Sequence, residues 1–592
     1  MADLDSLFKK PALPGKPSPS ENSKKRKLEP SAEALAAYKS AKLDTNGKGV
    51  LRASTDEGGA DQSLPDGFFD PAPEQEDEEG GRFFGGGVNK EQAEILDYVD
   101  EREREAGDVG TEKIDAAWLR RTALVFERKI SKNAEMRGKF EDDPHKFMAS
   151  EADLDTDIKA LSVLSEHPEL FTEFRKLGCL ASLVGLLAHE NTDIAIDVVE
   201  VISELTDDEV EVEPEQWNAL VDGMVEAQLL EMLTQNLSRL NESIETDRNG
   251  VYYTLSVFEN LASQQSLADL IVATTPILPW LLSRIQARES PISQNKQYAA
   301  ELLAILLQSS QTNRTALVAL NGIDILLQLL SPYRKRDPAK GGDEEEFVEN
   351  IFDCATCVVD EAAGKEKFVD AEGVELALIM LREGKMSKPR ALRLLDHAVG
   401  GQMGGGVCAR IVDAAGLKTV FGMFMKKLDT NTTEHLLGIF AALLMLLPAE
   451  SSARIRTLAK FVEKDYEKIV KLLQLRRQYT ARMAVVEAEI EEQKTRKQNE
   501  DSEDMEDMAG EWFSRRLDAG LFGLQMTDLC LAWLCAEDDG ARGKVRGLLE
   551  EAGMGLEHVR GTLQEQIDGM DGEENEEQRL TKEMMNTLVS FL

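Results

Sequence analysis

The chain has 592 residues with 68 Lys and Arg against 109 Asp and Glu, a formal net charge of −41, and is 42% apolar but only 6% aromatic. So acidic a body lacks the basic footprint that phosphate neutralisation requires, which argues against direct nucleic-acid binding and against anionic membranes. Six scattered cysteines form no secreted disulfide framework, Met1-Ala2-Asp3-Leu4-Asp5 opens no basic-then-apolar leader, and no window reaches about 18 uninterrupted apolar residues, so a reducing compartment without export or membrane spanning is expected.

Residues 1–110 are rich in Pro, Gly, Ser, Asp and Glu, a composition that cannot bury enough apolar surface to offset chain entropy. A disordered tail is expected, with a short helix near Lys90–Glu105. Within it Lys9-Lys10 and Lys24-Lys25-Arg26-Lys27 flank a Pro/Ser-rich spacer. Two basic clusters on an extended backbone suit the acidic and aromatic pockets of an import receptor, so they read as a nuclear-localisation signal and place the chain in the nucleus.

From about Thr111 the apolar period is helical to the end, without a convincing alternating strand. Residues 111–176 read as a helical cap. Residues 177–448 hold an imperfect repeat of a Gly, a Leu-rich helix, a polar turn and a second amphipathic helix. Copies open at Gly178, Gly322, Gly373 and Gly416, as in Gly322-Ile323-Asp324-Ile325-Leu326-Leu327, and degenerate copies lie at Gln228–Leu240 and Pro276–Ile285. A unit of roughly 40–50 residues is the armadillo/HEAT period, and the Gly lets the chain reverse sharply between helices. Residues 449–592 read as a C-terminal helical domain. It opens with a long charged helix over Arg454–Gln498, in which coiled-coil pairing is the minor option, and is interrupted by an acidic loop at Glu500–Asp504. The predicted fold is all-α: an armadillo/HEAT-type right-handed superhelical solenoid with a helical N-terminal cap and a C-terminal helical domain.

Longer stretches narrow the comparison. Phe140-Glu141-Asp142-Asp143-Pro144-His145-Lys146-Phe147-Met148, Leu186-Leu187-Ala188-His189-Glu190-Asn191-Thr192-Asp193-Ile194, Ala391-Leu392-Arg393-Leu394-Leu395-Asp396-His397-Ala398 and Arg515-Arg516-Leu517-Asp518-Ala519-Gly520-Leu521-Phe522 occur collinearly from about residue 120 onward. In these the chain resembles the beta-catenin-like protein 1 family of spliceosome-associated armadillo proteins. The resemblance implies nuclear residence, association with the splicing complex built around the Prp-nineteen-type ubiquitin ligase, and binding of basic, nuclear-localisation-like segments, including that of the Myb-repeat splicing factor of that complex. The Gly400–Gly406 row and the acidic stretch Glu500–Asp507 depart from the family and transfer nothing.

If the second helix of each unit lines the concave face, its outward residues recur every three or four positions. Asp197, Glu200 and Glu204 share such a stripe opposite Ala195, Val198, Ile202 and Leu205; Glu349, Asp353 and Asp360 share another; Glu259 beside Asn260 and Glu301 beside Gln297 supply the middle units. Carboxylates and amides along a groove suit an extended Lys/Arg-rich peptide, the acids taking the charges and the amides the backbone. Exposed ion pairs contribute about 0.2–1 kcal/mol each, so four supply at most about half of the ~8 kcal/mol of a micromolar complex; backbone bonds and Lys and Arg stems on the groove must supply the rest.

Catalytic groupings fail. Cys354 and Cys357 have no second pair or nearby His for zinc, the Gly400–Gly406 row follows a helix and lacks a Lys-Ser/Thr, and Asp396-His397 accompanies no nucleophile. The reading is a non-enzymatic scaffold with no cofactor and no metal, engaging basic segments of splicing factors and, through its tail, an import receptor. Association with a second copy of the chain stays open. The alternative is a nuclear transport adaptor for basic cargo, but the five tryptophans, Trp118, Trp217, Trp280, Trp512 and Trp533, form no ladder with Asn of the kind import adaptors use.

Overall fold

A short amphipathic helix cannot bury its apolar stripe alone, so Leu-rich hairpins in tandem have to stack. The computed structural model describes residues 113–497, 502–570 and 576–592, and all regular structure there is helical. The basic residues Lys9, Lys10, Lys24, Lys25, Arg26 and Lys27 and the helix expected near Lys90–Glu105 lie outside the described residues.

Eight helices lie side by side, each against the next: α1 (Met148–Ala160), α2 (Thr192–Leu205), α3 (Glu245–Ala262), α4 (Gln294–Gln308), α5 (Asp343–Val358), α6 (Ser387–Val399), α7 (Thr430–Leu446) and α8 (Leu521–Glu537). Each of α2 to α7 is preceded by two shorter helices, so the unit has three helices where the sequence pattern showed two. The extra one escapes sequence reading because it commits so little apolar surface; Gln265–Thr274, for example, buries only Ala268 and Ile271. Side-chain caps start α2, α4 and α7: Asn191 Oδ1 accepts from Asp193 N at 3.1 Å at the head of α2, and Asp429 Oδ1 accepts from Thr432 N at 2.8 Å at the head of α7.

The turn glycines act differently from the expectation. Only Gly178 itself takes a left-handed backbone, φ 75°. At the later copies the residue before the glycine does so, Asn321, Glu372 and Ala415 each at φ 57°, and Gln228 at φ 64° serves a copy without a glycine. Gly322 and Gly416 are required by close packing instead: a Cβ at Gly322 would lie 2.5 Å from Leu317 Cγ, and one at Gly416 2.8 Å from the Ile411 carbonyl.

One continuous apolar core runs from Leu119 to Leu588. Where the repeats end, Phe421, Phe440 and Phe461 interlock, with ring centroids 4.5 Å (Phe421–Phe440) and 4.8 Å (Phe421–Phe461) apart. The helix Ser452–Lys497 is broken at Glu463–Tyr466, where Lys464, Asp465 and Tyr466 have φ of 56°, 54° and 61°. It then packs on Ser502–Ala519 as an antiparallel neighbour, with Trp512 Nε1 donating to Gln493 Oε1 at 3.0 Å. That second helix begins at Ser502, inside the acidic run read as a loop. α8 is buried on nearly all sides, and Asp528 within it takes a two-point bond from the buried Arg476 at 2.7 and 3.2 Å.

Candidate functional site

Burial along α2 to α6 leaves a partly exposed stripe on each. On α2 it is Asp193, Asp197, Glu200 and Glu204; on α3 it is Tyr252, Tyr253, Ser256, Glu259 and Asn260; on α4 it includes Glu301 and Ile305; on α5 it is Glu349 and Asp353; on α6 it is Arg390 and Arg393. The spacing of three or four keeps each stripe on one side of its helix. Because the helices lie side by side, the stripes join into a single polar face, and the sequence-predicted residues fall on it or at its edge.

At its N-terminal half, apart from the Lys159 ammonium on Asp197, the bonds between α2, α3 and α4 come from neutral donors. Tyr253 Oη donates to Glu200 Oε1 at 2.9 Å, Tyr298 Oη donates to Glu259 Oε2, Ser203 bonds Ser256 at 3.0 Å, and Asn260 Nδ2 donates to Thr206 Oγ1 at 3.3 Å. Tyr252 closes a small aromatic cluster, its centroid 5.9 Å from Tyr253 and 5.2 Å from Tyr298. A hydroxyl donor leaves the negative charge on the carboxylate, and the consequences show in the titration of nearby groups. Burial, then the neighbouring Glu200, raises the Glu204 carboxyl, and burial with Glu200 raises the Tyr253 phenol. Asp197 is pushed up to about 7 by burial and by its hydrogen bond with Asp155, against the opposing Lys159 ammonium at 3.1 Å. Asp155 moves the other way, held down first by that shared hydrogen bond.

The C-terminal half is built from the same acids with different neighbours. Arg390 of α6 pairs with Glu349 and Arg393 with Asp353, while His397 Nδ1 lies 2.9 Å from Asp360 Oδ1. One helix on, His435 Nδ1 lies 3.0 Å from Asp396 Oδ2. Burial raises Asp353 and the Arg393 guanidinium opposes the rise. Asp360 stands two residues past the end of α5, on the turn rather than on its helical stripe.

Comparison with known proteins identifies the family. Residues 93–564 match the family described as "Catenin-beta-like, Arm-motif containing nuclear". The Beta-catenin-like protein 1 homolog of Schizosaccharomyces pombe is 38% identical over 504 residues, covering 84% of this chain and 86% of that protein. The chain belongs to the catenin-beta-like family. The human Beta-catenin-like protein 1 is 37% identical over 484 residues, covering 79% of this chain and 85% of its own length. Among solved structures, a computationally designed armadillo repeat protein for modular peptide recognition aligns with TM-score 0.33 at 15% identity, covering 42% of this chain and 93% of that one.

Within this catenin-beta-like armadillo frame, two expectations about the face need correction. Gln297 was expected to present its amide outward; it is buried and donates to Glu301 Oε2 at 2.8 Å. Asp197, Glu200, Glu259, Glu349, Asp353 and Asp360 are engaged by residues far away in the chain rather than standing free, which the sequence could not show. Tyr252, Tyr253 and Tyr298 were missed: Tyr252 and Tyr253 lie on the α3 stripe seven and six residues before Glu259, and Tyr298 is buried three residues before Glu301, helical spacings that were the available signal. Elsewhere, Cys354 and Cys357 are core residues whose thiols burial pushes up, Cys357 to about 12. The Gly400–Gly406 row is a tight connector: Gly401 takes φ 66° and a Cβ at Gly404 would collide with the Val399 carbonyl. Among the described residues no group of His, Cys, Asp or Glu is placed to hold a metal ion, and no single helix is long and apolar enough to cross a membrane.

Proposed function

We propose that this chain is a non-enzymatic scaffold of the pre-mRNA splicing machinery in the nucleus, which holds basic, nuclear-localisation-like segments of splicing factors on the α2–α4 part of its polar face. Membership of a family described as nuclear and Arm-motif containing supports the setting. The observation that carries the binding reading is Glu200 with Glu204 on one stripe of α2: the bond across to the next helix comes from a tyrosine hydroxyl, and burial, then the field of Glu200, makes Glu204 titrate high. An arriving guanidinium or ammonium relieves that repulsion, and the face of Tyr252 or Tyr253 offers the cation a flat partner. Asn260, tethered through its Nδ2, keeps a carbonyl oxygen that suits a peptide N–H. The Myb-repeat factor of the Prp-nineteen-type complex is the partner we expect on this face, and an import receptor is the partner we expect for Lys24–Lys27.

The adaptor reading is preferred to a transport receptor because none of the five tryptophans stands on α2 to α7, where an import adaptor would carry its ladder. The test is a fluorescence-anisotropy titration of the full chain with a labelled peptide bearing a Lys-Lys-Arg-Lys cluster and with its Gln-substituted twin. The expected result is binding in about the micromolar range for the first and at least about tenfold weaker binding for the second. Equal binding of both would remove the reading.

A further inference from the structure

A second site lies away from the polar face. The helix Leu229–Leu237 and the turn Leu186–Glu190 enclose a cleft of about 360 Å³ lined by Leu187, Ala188, Met232, Gln235, Asn236 and Arg239, with Glu190 at its edge. None of the eight stacked helices contributes to it. The cleft is held open from one side: Arg239 donates to the carbonyls of Leu187, His189 and Glu190 at 3.2, 2.6 and 3.1 Å, which fixes the turn against the helix.

Asn236 is the unusual residue. It is 1% exposed, yet neither its Nδ2 nor its Oδ1 has a hydrogen-bond partner. Buried amides are almost always satisfied, and an unsatisfied one is retained against a penalty that an apolar residue of similar size would avoid. Satisfying both atoms together takes an acceptor and a donor side by side, which the C=O and N–H of one residue in an extended chain present along the same edge. The charged groups at the edge are of opposite sign, Arg239 and Glu190, and Glu190 is itself paired with Arg137, so the site selects neither an anion nor a cation. Leu187, Ala188 and Met232 add an apolar wall for a small side chain.

We infer that this cleft binds an extended peptide segment of a protein partner, with Asn236 pairing to the N–H and C=O of one residue, whose short aliphatic side chain lies against Leu187 and Met232. The site is independent of the acidic face, and a neutral segment is its ligand.

The test uses the full chain with methyl-labelled methionine, the Met232 resonance being identified from a Met232→Leu spectrum, and N-acetyl-Gly-Val-Gly-amide as the probe. The expected result is a saturable shift of Met232. It should weaken by at least about tenfold with the ester analogue that replaces the Val N–H by oxygen, and vanish in Asn236→Leu. Asn236→Leu is also expected to melt at a higher temperature than the wild type, because it removes an unsatisfied buried group. An unmoved Met232 in the wild type, a shift indifferent to the ester or to Asn236→Leu, or a lower melting temperature in that variant would each overturn the assignment; the last would show that the amide serves the fold.

Discussion

The two halves of the helix stack place acids at equivalent positions and treat them in opposite ways. On α2 to α4 the bonds that reach Glu200 and Glu259 from the following helix come from tyrosine hydroxyls, whereas on α5 to α7 the corresponding bonds to Glu349, Asp353 and Asp360 come from arginine and histidine. A helix therefore does not decide alone whether its carboxylates are available to a partner; the next helix in the stack does. The negative potential is kept in the first half, and in the second it is spent on holding neighbouring units together.

The largest effect should come from breaking a pair in the second half. Arg393→Ala leaves Asp353, whose side chain is only 21% exposed, without its cation, and is expected to lower unfolding stability in urea by about 2–3 kcal/mol. Replacing both partners, Arg393→Met with Asp353→Leu, should cost much less. If the single and double variants lose the same amount, the pair is not what joins these helices.

Next in size is the effect on binding. Glu200→Lys with Glu204→Lys should weaken a Lys/Arg-rich peptide by roughly tenfold at about 0.1 M salt, close to 1.4 kcal/mol, whereas Glu349→Lys should change it by less than about twofold. Equal losses would erase the distinction between the halves. Smaller again, Tyr253→Phe removes one hydrogen bond to a carboxylate and is expected to lower stability by about 1 kcal/mol, read from thermal or chemical unfolding.

The smallest effect is a pH slope. Asp197, pushed up to about 7 in the fold, holds its proton where the unfolded chain has lost it, so its contribution to stability falls as pH rises from about 4 to 7 and is level above that. Asp197→Asn should flatten this slope and leave the chain more stable than wild type at pH 8. An unchanged slope would mean that Asp155 and Lys159 share the titration differently.

How much of this could be read in the sequence depends on distance along the chain. The stripe of Asp197, Glu200 and Glu204 needs only helical geometry and was legible. Its bond to Tyr253 joins residues 53 apart, and the pair of Asp353 with Arg393 joins residues 40 apart, so neither follows from local pattern. The repeat glycines were visible, but their reason was not: apart from Asn321, the left-handed residue at the later turns is Glu, Gln or Ala, types that carry no such signal, while the glycine answers a steric demand from the preceding helix. The break at Glu463–Tyr466 was equally hidden, since Glu463-Lys464-Asp465-Tyr466 contains no Gly or Pro to mark it.

The claim that the first half of the stack receives cations is tested most directly by photo-crosslinking. A Lys/Arg-rich peptide carrying a benzophenone beside its basic cluster, irradiated on the full chain and mapped by mass spectrometry, should label peptides from Thr192–Leu205 and Glu245–Ala262. Labelling confined to Asp343–Val358 and Ser387–Val399 would contradict it.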